Sequence, residues 1–303
     1  IINAIKRARP NAHISWVIQP VPYQLVKDHE SVDQFFVFKR RRGLDALKSY
    51  RDLREQMRGQ RFDLLINLQV YFKAGLITAM TPAKVKLGFD RARARDMNWI
   101  FTNEKIRARP SQHVQDQYFE FLEHLNIPQE PLEWRLSLSA DEQSAQREFF
   151  ATLGRTCGVV VGTSKPQKNW APDRYAAVID ALETQGVRCI LVGGPSPIER
   201  EAAARIEELA RVKPINALGD DVRRALWLLD GASFVISPDT GPLHMARAVD
   251  TPVVGLYGYT DPKRYGPYRK YGDLIVDGYP AGMQTISVEA VLNKAQLALQ
   301  RYL

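Results

Sequence analysis

Three short segments in the second half of the chain carry the side chains best suited to handling phosphate. The first is Gly162-Thr163-Ser164-Lys165-Pro166-Gln167-Lys168-Asn169-Trp170, where two hydroxyls and two ammonium groups follow an apolar run. Such groups donate to phosphate oxygens, and the ammonium charge offsets what builds up on a phosphate leaving group. The Gly-x4-Gly-Lys-[Ser/Thr] spacing of a Walker loop is absent, and a solvated polar loop is an equal alternative. The second is Pro238-Asp239-Thr240-Gly241-Pro242-Leu243-His244. Asp239 or Thr240 can cap a following helix, and Pro242 suits its first turn. Gly241 removes side-chain bulk, so the free amides at the helix start form an anion site suited to a diphosphate. A well-capped helix without a ligand is the alternative, but Asp-Thr-Gly-Pro-x-His is denser than a cap requires. His244 alone reads as a packed or hydrogen-bonded histidine rather than a catalyst. The third is Gly193-Gly194-Pro195-Ser196-Pro197-Ile198-Glu199-Arg200. Its carboxylate can accept from two ribose hydroxyls or simply complement a helix start.

The elements that position these loops follow from the apolar pattern. Short apolar runs at 158–162, 188–193, 233–237 and 252–257 read as strands. They alternate with helical periods at 173–185, 197–211, 221–230 and 241–249. The first half repeats the scheme less clearly, with strands at 13–18, 34–38, 62–67 and 84–89 and helices at 22–27, 44–58, 71–80 and 113–125. Such alternation means parallel sheets flanked by helices, in which ligands sit beyond the carboxyl ends of the strands. The segment 128–138, with two prolines and no helical period, reads as a linker. We therefore expect domains at 1–130 and 131–303, two Rossmann-like folds facing a central cleft. The amphipathic last helix, 288–302, could cross back to the first domain. The opening Ile-Ile-Asn-Ala-Ile-Lys reads as the middle of a helix, so a preceding segment is expected.

Composition narrows the class. The 303 residues are 45% hydrophobic and 25% charged, which excludes a disordered or low-complexity chain. No apolar stretch approaches the ~18 residues of a membrane span. Two cysteines without a Cys-x-x-Cys pair argue against a disulfide scaffold and fit a reducing cytoplasm. Five histidines without ligand spacing, and no Asp-x-Asp, argue against a bound metal. No Gly-x-Gly-x-x-Gly supports a dehydrogenase, and no cofactor is expected.

The net charge of +8 is not spread evenly. Residues 1–130 hold 22 Lys+Arg against 14 Asp+Glu, whereas residues 131–303 hold 20 of each. Lys39-Arg40-Arg41-Arg42 follows an apolar run, and Arg91, Arg93 and Arg95 alternate in Arg-Ala-Arg-Ala-Arg. The plain reading of each cluster is a solvated basic face; the sharper one is a surface for an anionic partner. Nucleic acid is the weaker choice, since no accompanying recognition motif is present.

Together these loops resemble glycosyltransferase family 9, the bacterial heptosyltransferases of lipopolysaccharide core assembly. The resemblance rests on Ser237-Pro238-Asp239-Thr240-Gly241-Pro242-Leu243-His244 with Gly258-Tyr259-Thr260-Asp261-Pro262, supported by the 162–170 and 193–200 loops. It implies a GT-B fold and inverting, metal-independent transfer of a heptose from an ADP-activated donor. Thr163, Ser164 and Lys168 would hold the phosphates, Glu199 the ribose, Leu218 the adenine, and Asp239, Thr240 and Gly241, with His244, the diphosphate and sugar. Asp239 and Lys168 would be the catalytic pair. The implied acceptor is the phosphorylated Kdo–lipid A region at the cytoplasmic face of the inner membrane, met by Arg91, Arg93 and Arg95. The resemblance also implies a general-base aspartate in a Gly-Asp loop ahead of the first helix, outside these 303 residues. A catalytically inactive relative that binds nucleotide sugar or glycolipid, or a transferase with another donor, would carry much the same loops.

Overall fold

The computed structural model describes residues 1–303 apart from Ser164 and the side chain of Leu44. The chain forms two compact units, Ile1–Arg135 and Leu136–Leu303. The boundary lies five residues later than the prolines suggested, because the end of the linker is tied into the first unit. Arg7 pairs with Glu133 at 3.0 Å, Arg135 with Glu30 at 2.7 Å, and Asn3 Nδ2 donates to the Glu133 carbonyl at 2.8 Å.

The first unit runs α1 (Ile2–Ala8), β1 (Ser15–Ile18), α2 (Pro20–Val26), β2 (Gln34–Val37), α3 (Ala46–Gln56), β3 (Phe62–Ile66), α4 (Phe72–Met80), β4 (Ala83–Gly88), β5 (Glu104–Lys105) and α5 (Val114–His124). Every strand pair is parallel, but the strands fall into two separate sheets, β1-β2 and β3-β4-β5. Two small cores serve them. Phe36, Phe38, Leu53 and Met57 fill the first, and Leu87, Phe89, Ile106 and Phe121 the second.

The second unit is more continuous. Its elements are α6 (Ala140–Phe150), β6 (Arg155–Val160), α7 (Pro172–Thr184), β7 (Val187–Val192), α8 (Pro197–Leu209), β8 (Ile215–Asn216), α9 (Val222–Gly231), β9 (Phe234–Pro238), α10 (Gly241–Ala248), β10 (Val253–Tyr257), α11 (Pro262–Tyr265), β11 (Val276–Asp277) and α12 (Val288–Arg301). One six-stranded parallel sheet orders them β11-β10-β9-β6-β7-β8. Its central strands are buried on both faces, which is why they read as unbroken apolar runs. The chain winds outwards in one direction from β6 and, after crossing over, in the other from β9. The neighbours β6 and β9 therefore flank the switch point where ligands bind in such sheets.

Helix α6 lies where no helix was expected. Ser139 accepts from the Glu142 amide, and the Glu142 carboxylate accepts from the Ser139 amide, a full capping box. Helix α12 packs on α7 and β9–β11 within its own unit. It is anchored there by Arg301 and Tyr302 on the Asp273 carboxylate, at 2.9 and 2.8 Å.

Candidate donor site at the switch point

The β6–α7 loop is shaped by its own side chains. The Thr163 amide donates to Asn169 Oδ1 at 2.8 Å, and the Thr163 hydroxyl donates to the Lys165 carbonyl at 2.8 Å. Thr163 is thus buried and holds the loop rather than standing free for phosphate; Ser164 lies outside the described residues. The far end is fixed by the buried Trp170, whose indole donates to the Ile286 carbonyl at 3.0 Å. Between these anchors a short 3-10 turn, Pro166–Lys168, carries Lys168 toward β9.

Lys168 meets the loop after β9. Its ammonium donates to the Asp239 carboxylate at 2.6 Å and to the Asp239 carbonyl at 3.1 Å. The same carboxylate accepts from the Thr260 hydroxyl at 2.7 Å, and His244 Nε2 faces its other oxygen at 3.4 Å. Burial alone would push the Asp239 carboxyl up, but the contacts from His244, Lys168 and Thr260 and the Lys168 charge win, holding it down to about 2. Asp239 is therefore a carboxylate at any working pH, clamped in one orientation.

That clamp changes the expected capping. Thr240 is the N-cap of α10, yet its side chain makes no cap bond, and Asp239 is turned to Lys168. Gly241 explains why the motif exceeds a cap. Beyond its chain neighbours and the backbone of its own helix, a β-carbon there would meet nothing within 4 Å, and the residue is not in the left-handed region. Neither packing nor backbone conformation asks for glycine, so the open space at the start of α10 is what its absence of a side chain preserves.

Glu199 sits at the neighbouring strand end. Its carboxylate accepts from the Gly194 amide at 2.8 Å and from the Ser196 hydroxyl at 2.6 Å. Gly162 and Gly194 leave room for it, since a β-carbon on either would stand 2.8 and 3.0 Å from the Glu199 side chain. Each carboxylate oxygen keeps acceptor capacity for a hydroxyl. Leu218 lies against Gly193, 3.4 Å from where a β-carbon on it would be. The structure thus brings Lys168, Asp239, Thr240, Gly241 and His244 together around the switch point, with Glu199 one strand away, after β7, and Leu218 a further strand out, after β8. Thr260 was missed as a site residue. Its signal was the Thr-Asp-Pro run, in which Asp261 caps α11 and leaves Thr260 facing inward to Asp239.

The first unit separates the three expected arginines. Arg93 is not a surface group: its guanidinium donates to Asp90 Oδ2 at 2.5 Å, to Glu120 at 2.8 Å and to the Arg107 carbonyl at 2.8 Å. All three charged side chains are nearly sequestered, so Arg93 ties the loop after β4 to α5 instead of awaiting a ligand. Arg91 and Arg95 are exposed, with Arg91 lying over the Trp99 ring at 4.7 Å. A more enclosed basic place was not singled out as a site. At the carboxyl end of β2 a cavity of about 300 Å³ is lined by Arg40, Arg41, Arg42, Ser49, Tyr50 and Lys73, among others. Arg41 is paired there with Asp52 at 2.6 Å. The Lys-Arg-Arg-Arg run was its signal, but Lys73 comes from the first turn of α4, which no local pattern connects to it.

The chain is similar over most of its length to known proteins. The family model of glycosyltransferase family 9 (heptosyltransferase) matches residues 50–285. The lipopolysaccharide core heptosyltransferase OpsX of Haemophilus influenzae is 27% identical over 276 residues, 91% of this chain and 78% of that protein. Lipopolysaccharide heptosyltransferase 1 of Escherichia coli is 26% identical, covering 95% of this chain and 91% of that one. Among solved structures, a family 9 glycosyl transferase of Veillonella parvula superposes with a TM-score of 0.84 at 22% identity, over 99% of this chain and 92% of that one. The E. coli heptosyltransferase WaaC with ADP superposes with a TM-score of 0.78 at 23% identity, covering 98% and 93%.

Proposed function

The chain belongs to glycosyltransferase family 9, and on that premise we propose that it moves a heptose from ADP-heptose to the Kdo/heptose inner core of lipopolysaccharide. The reading includes inversion at the anomeric carbon and no catalytic metal. Relatives along most of the chain are lipopolysaccharide heptosyltransferases, and the similar WaaC structures hold ADP or ADP-2-deoxy-2-fluoro heptose.

The observation that carries the proposal is the Lys168–Asp239–Thr260 network beside the open start of α10. Lys168 has three donors and directs two contacts to Asp239, leaving a donor for a diphosphate oxygen. Its charge, with the α10 amides, stabilises the negative charge that grows on ADP as the glycosidic bond breaks. Asp239 keeps Lys168 in place and offers acceptor capacity to sugar hydroxyls. Glu199 accepts from the ribose, and Leu218 lies against the adenine. On the acceptor side, Arg91, Arg95 and the basic cavity with Arg40, Arg42 and Lys73 meet phosphate and carboxylate groups, for which planar guanidinium forks are suited.

Mass spectrometry of products formed by the full-length protein from ADP-heptose and truncated core acceptors tests this. A mass increase of one heptose is expected. No transfer from ADP-heptose, with efficient transfer from another nucleotide sugar, would overturn the donor assignment.

A further inference from the structure

Two segments of the first unit expose large apolar side chains side by side. At the start of α4, Tyr71 and Phe72 are 51% and 41% exposed; in the segment after β4, Met97 and Ile100 are 58% and 46% exposed. The segments are joined. The Arg95 amide donates to the Val70 carbonyl at 2.8 Å, Asn98 Nδ2 donates to the Tyr71 carbonyl at 2.7 Å, and Phe72 meets the Phe101 ring edge-on at 5.4 Å. Residues 98–101 form a 3-10 turn directly after Met97; Asn98 is buried in it, while Met97 and Ile100 stay exposed on either side. Asp96 and Met97 both have positive φ, 50° and 60°, a conformation that residues with a β-carbon rarely adopt. The fold thus holds an apolar side chain at a strained, exposed tip instead of placing it in a core. Lys73, next to Phe72, and Arg91 and Arg95, in the loop that carries Met97, are exposed, as is the acidic Asp96.

We propose that the surface of Tyr71, Phe72, Met97 and Ile100, fringed by Lys73, Arg91 and Arg95, docks on an anionic phospholipid bilayer. Exposed aromatic and aliphatic side chains inside a basic fringe are the combination that inserts at a charged lipid interface. A second copy of the chain fits less well, because a two-fold contact would bring the three cations of each copy together. No helix among the described residues is long and apolar enough to cross a membrane, so attachment by this surface would be peripheral. The docking deepens the functional reading, resting on it only for the expectation of a lipid-borne acceptor.

The test is co-sedimentation of the full chain with vesicles of phosphatidylcholine alone or mixed with phosphatidylglycerol. Binding to the mixed vesicles, weakened by salt, is expected. The variant Met97→Asn/Ile100→Gln should lose roughly tenfold in partitioning, since it removes two inserting side chains, while Asn tolerates the left-handed backbone. Its ADP affinity and its turnover of a lipid-free acceptor should match those of the parent. Failure of the parent to sediment, or equal sedimentation of parent and variant, overturns the docking. So does a concentration-dependent dimer that the variant abolishes, which would assign the patch to self-association. If the double variant melts early, Tyr71→Ser, altering only an exposed side chain, decides by the same measurement. Absence of heptose transfer in every protein would instead refute the function and leave the vesicle result standing.

Discussion

The two units use the same parallel grammar with different continuity. In the second, six strands form one sheet, its central strands are buried on both faces, and the loops with chemical residues leave the two strands at the switch point. In the first, five strands divide into a pair and a triplet, and β3 keeps Leu64 37% exposed. A fully covered sheet writes its strands as apolar runs and puts its reactive loops at predictable ends. A divided sheet writes half-exposed strands, and charge becomes the more visible signal. Charge is ambiguous in a way that loop position is not. Arg93 and Arg95, two residues apart, show this: one is sealed among Asp90 and Glu120, the other is exposed.

The largest expected effect separates these arginines. Arg93→Ala leaves Asp90 and Glu120 as buried carboxylates without their shared cation, a change that typically costs about 3–5 kcal/mol. Thermal or urea unfolding should show that loss in the first unit. Arg95→Gln should leave unfolding unchanged and raise the acceptor KM, with ADP affinity held. If Arg93→Ala unfolds like the parent, the distinction drawn between the two residues fails.

In the second unit, Lys168→Ala should lower donor use at least tenfold. A charge-assisted hydrogen bond is worth about 1.5–3 kcal/mol, and one that strengthens as ADP departs lowers turnover as well as affinity. Calorimetry and single-turnover rates together check this; unchanged values in both would remove Lys168 from the site. Gly241→Ala sharpens the contrast. With nothing within 4 Å of the new methyl beyond its chain neighbours and the backbone of its own helix, its melting temperature should stay close to that of the parent, while donor affinity falls several-fold. A melting loss without an affinity loss would mean that the open space is not where the donor sits.

What the sequence made legible follows the same division. The position of Lys168, Asp239, Gly241 and Glu199 after β6, β7 and β9 was legible, because each follows an apolar strand in a dense polar run; the roles given to them are part of the proposal. Thr163 was read as a phosphate donor because a hydroxyl's partner cannot be seen in a sequence; here it is the Lys165 carbonyl. The short strands β5, β8 and β11 have two residues each, too few for any period to register. Helix α6 was legible in Ser139-Ala140-Asp141-Glu142 as a capping box, and was overlooked beside the prolines of the linker. The basic cavity depends on Lys73 meeting Arg40 and Arg42 from another element, which is tertiary information.

The smallest expected effect concerns acid. Asp239 is held down to about 2, against an ordinary value of 3.8, by contacts that outweigh its burial. A carboxyl lowered on folding contributes stability above its unfolded pKa and loses it as pH falls toward the folded one. The Asp239 contribution should therefore be complete above pH 4 and fade between pH 4 and about 2. Other carboxylates titrate over the same range, so the parent alone is uninformative. The useful quantity is the stability gap between the parent and Asp239→Asn, which removes the charge while keeping the shape. That gap should be at most roughly 2–3 kcal/mol near neutrality and should narrow as pH falls through the window. The exposed pair Arg41–Asp52 of the first unit supplies the contrast: its carboxyl is also lowered, by the Arg41 hydrogen bond. Solvent screening makes such a pair worth little, so Asp52→Asn should show a much smaller gap at every pH. Equal gaps for the two variants, or a gap for Asp239→Asn that stays constant down to pH 2, would mean that the buried network does not hold its charge by the contacts described.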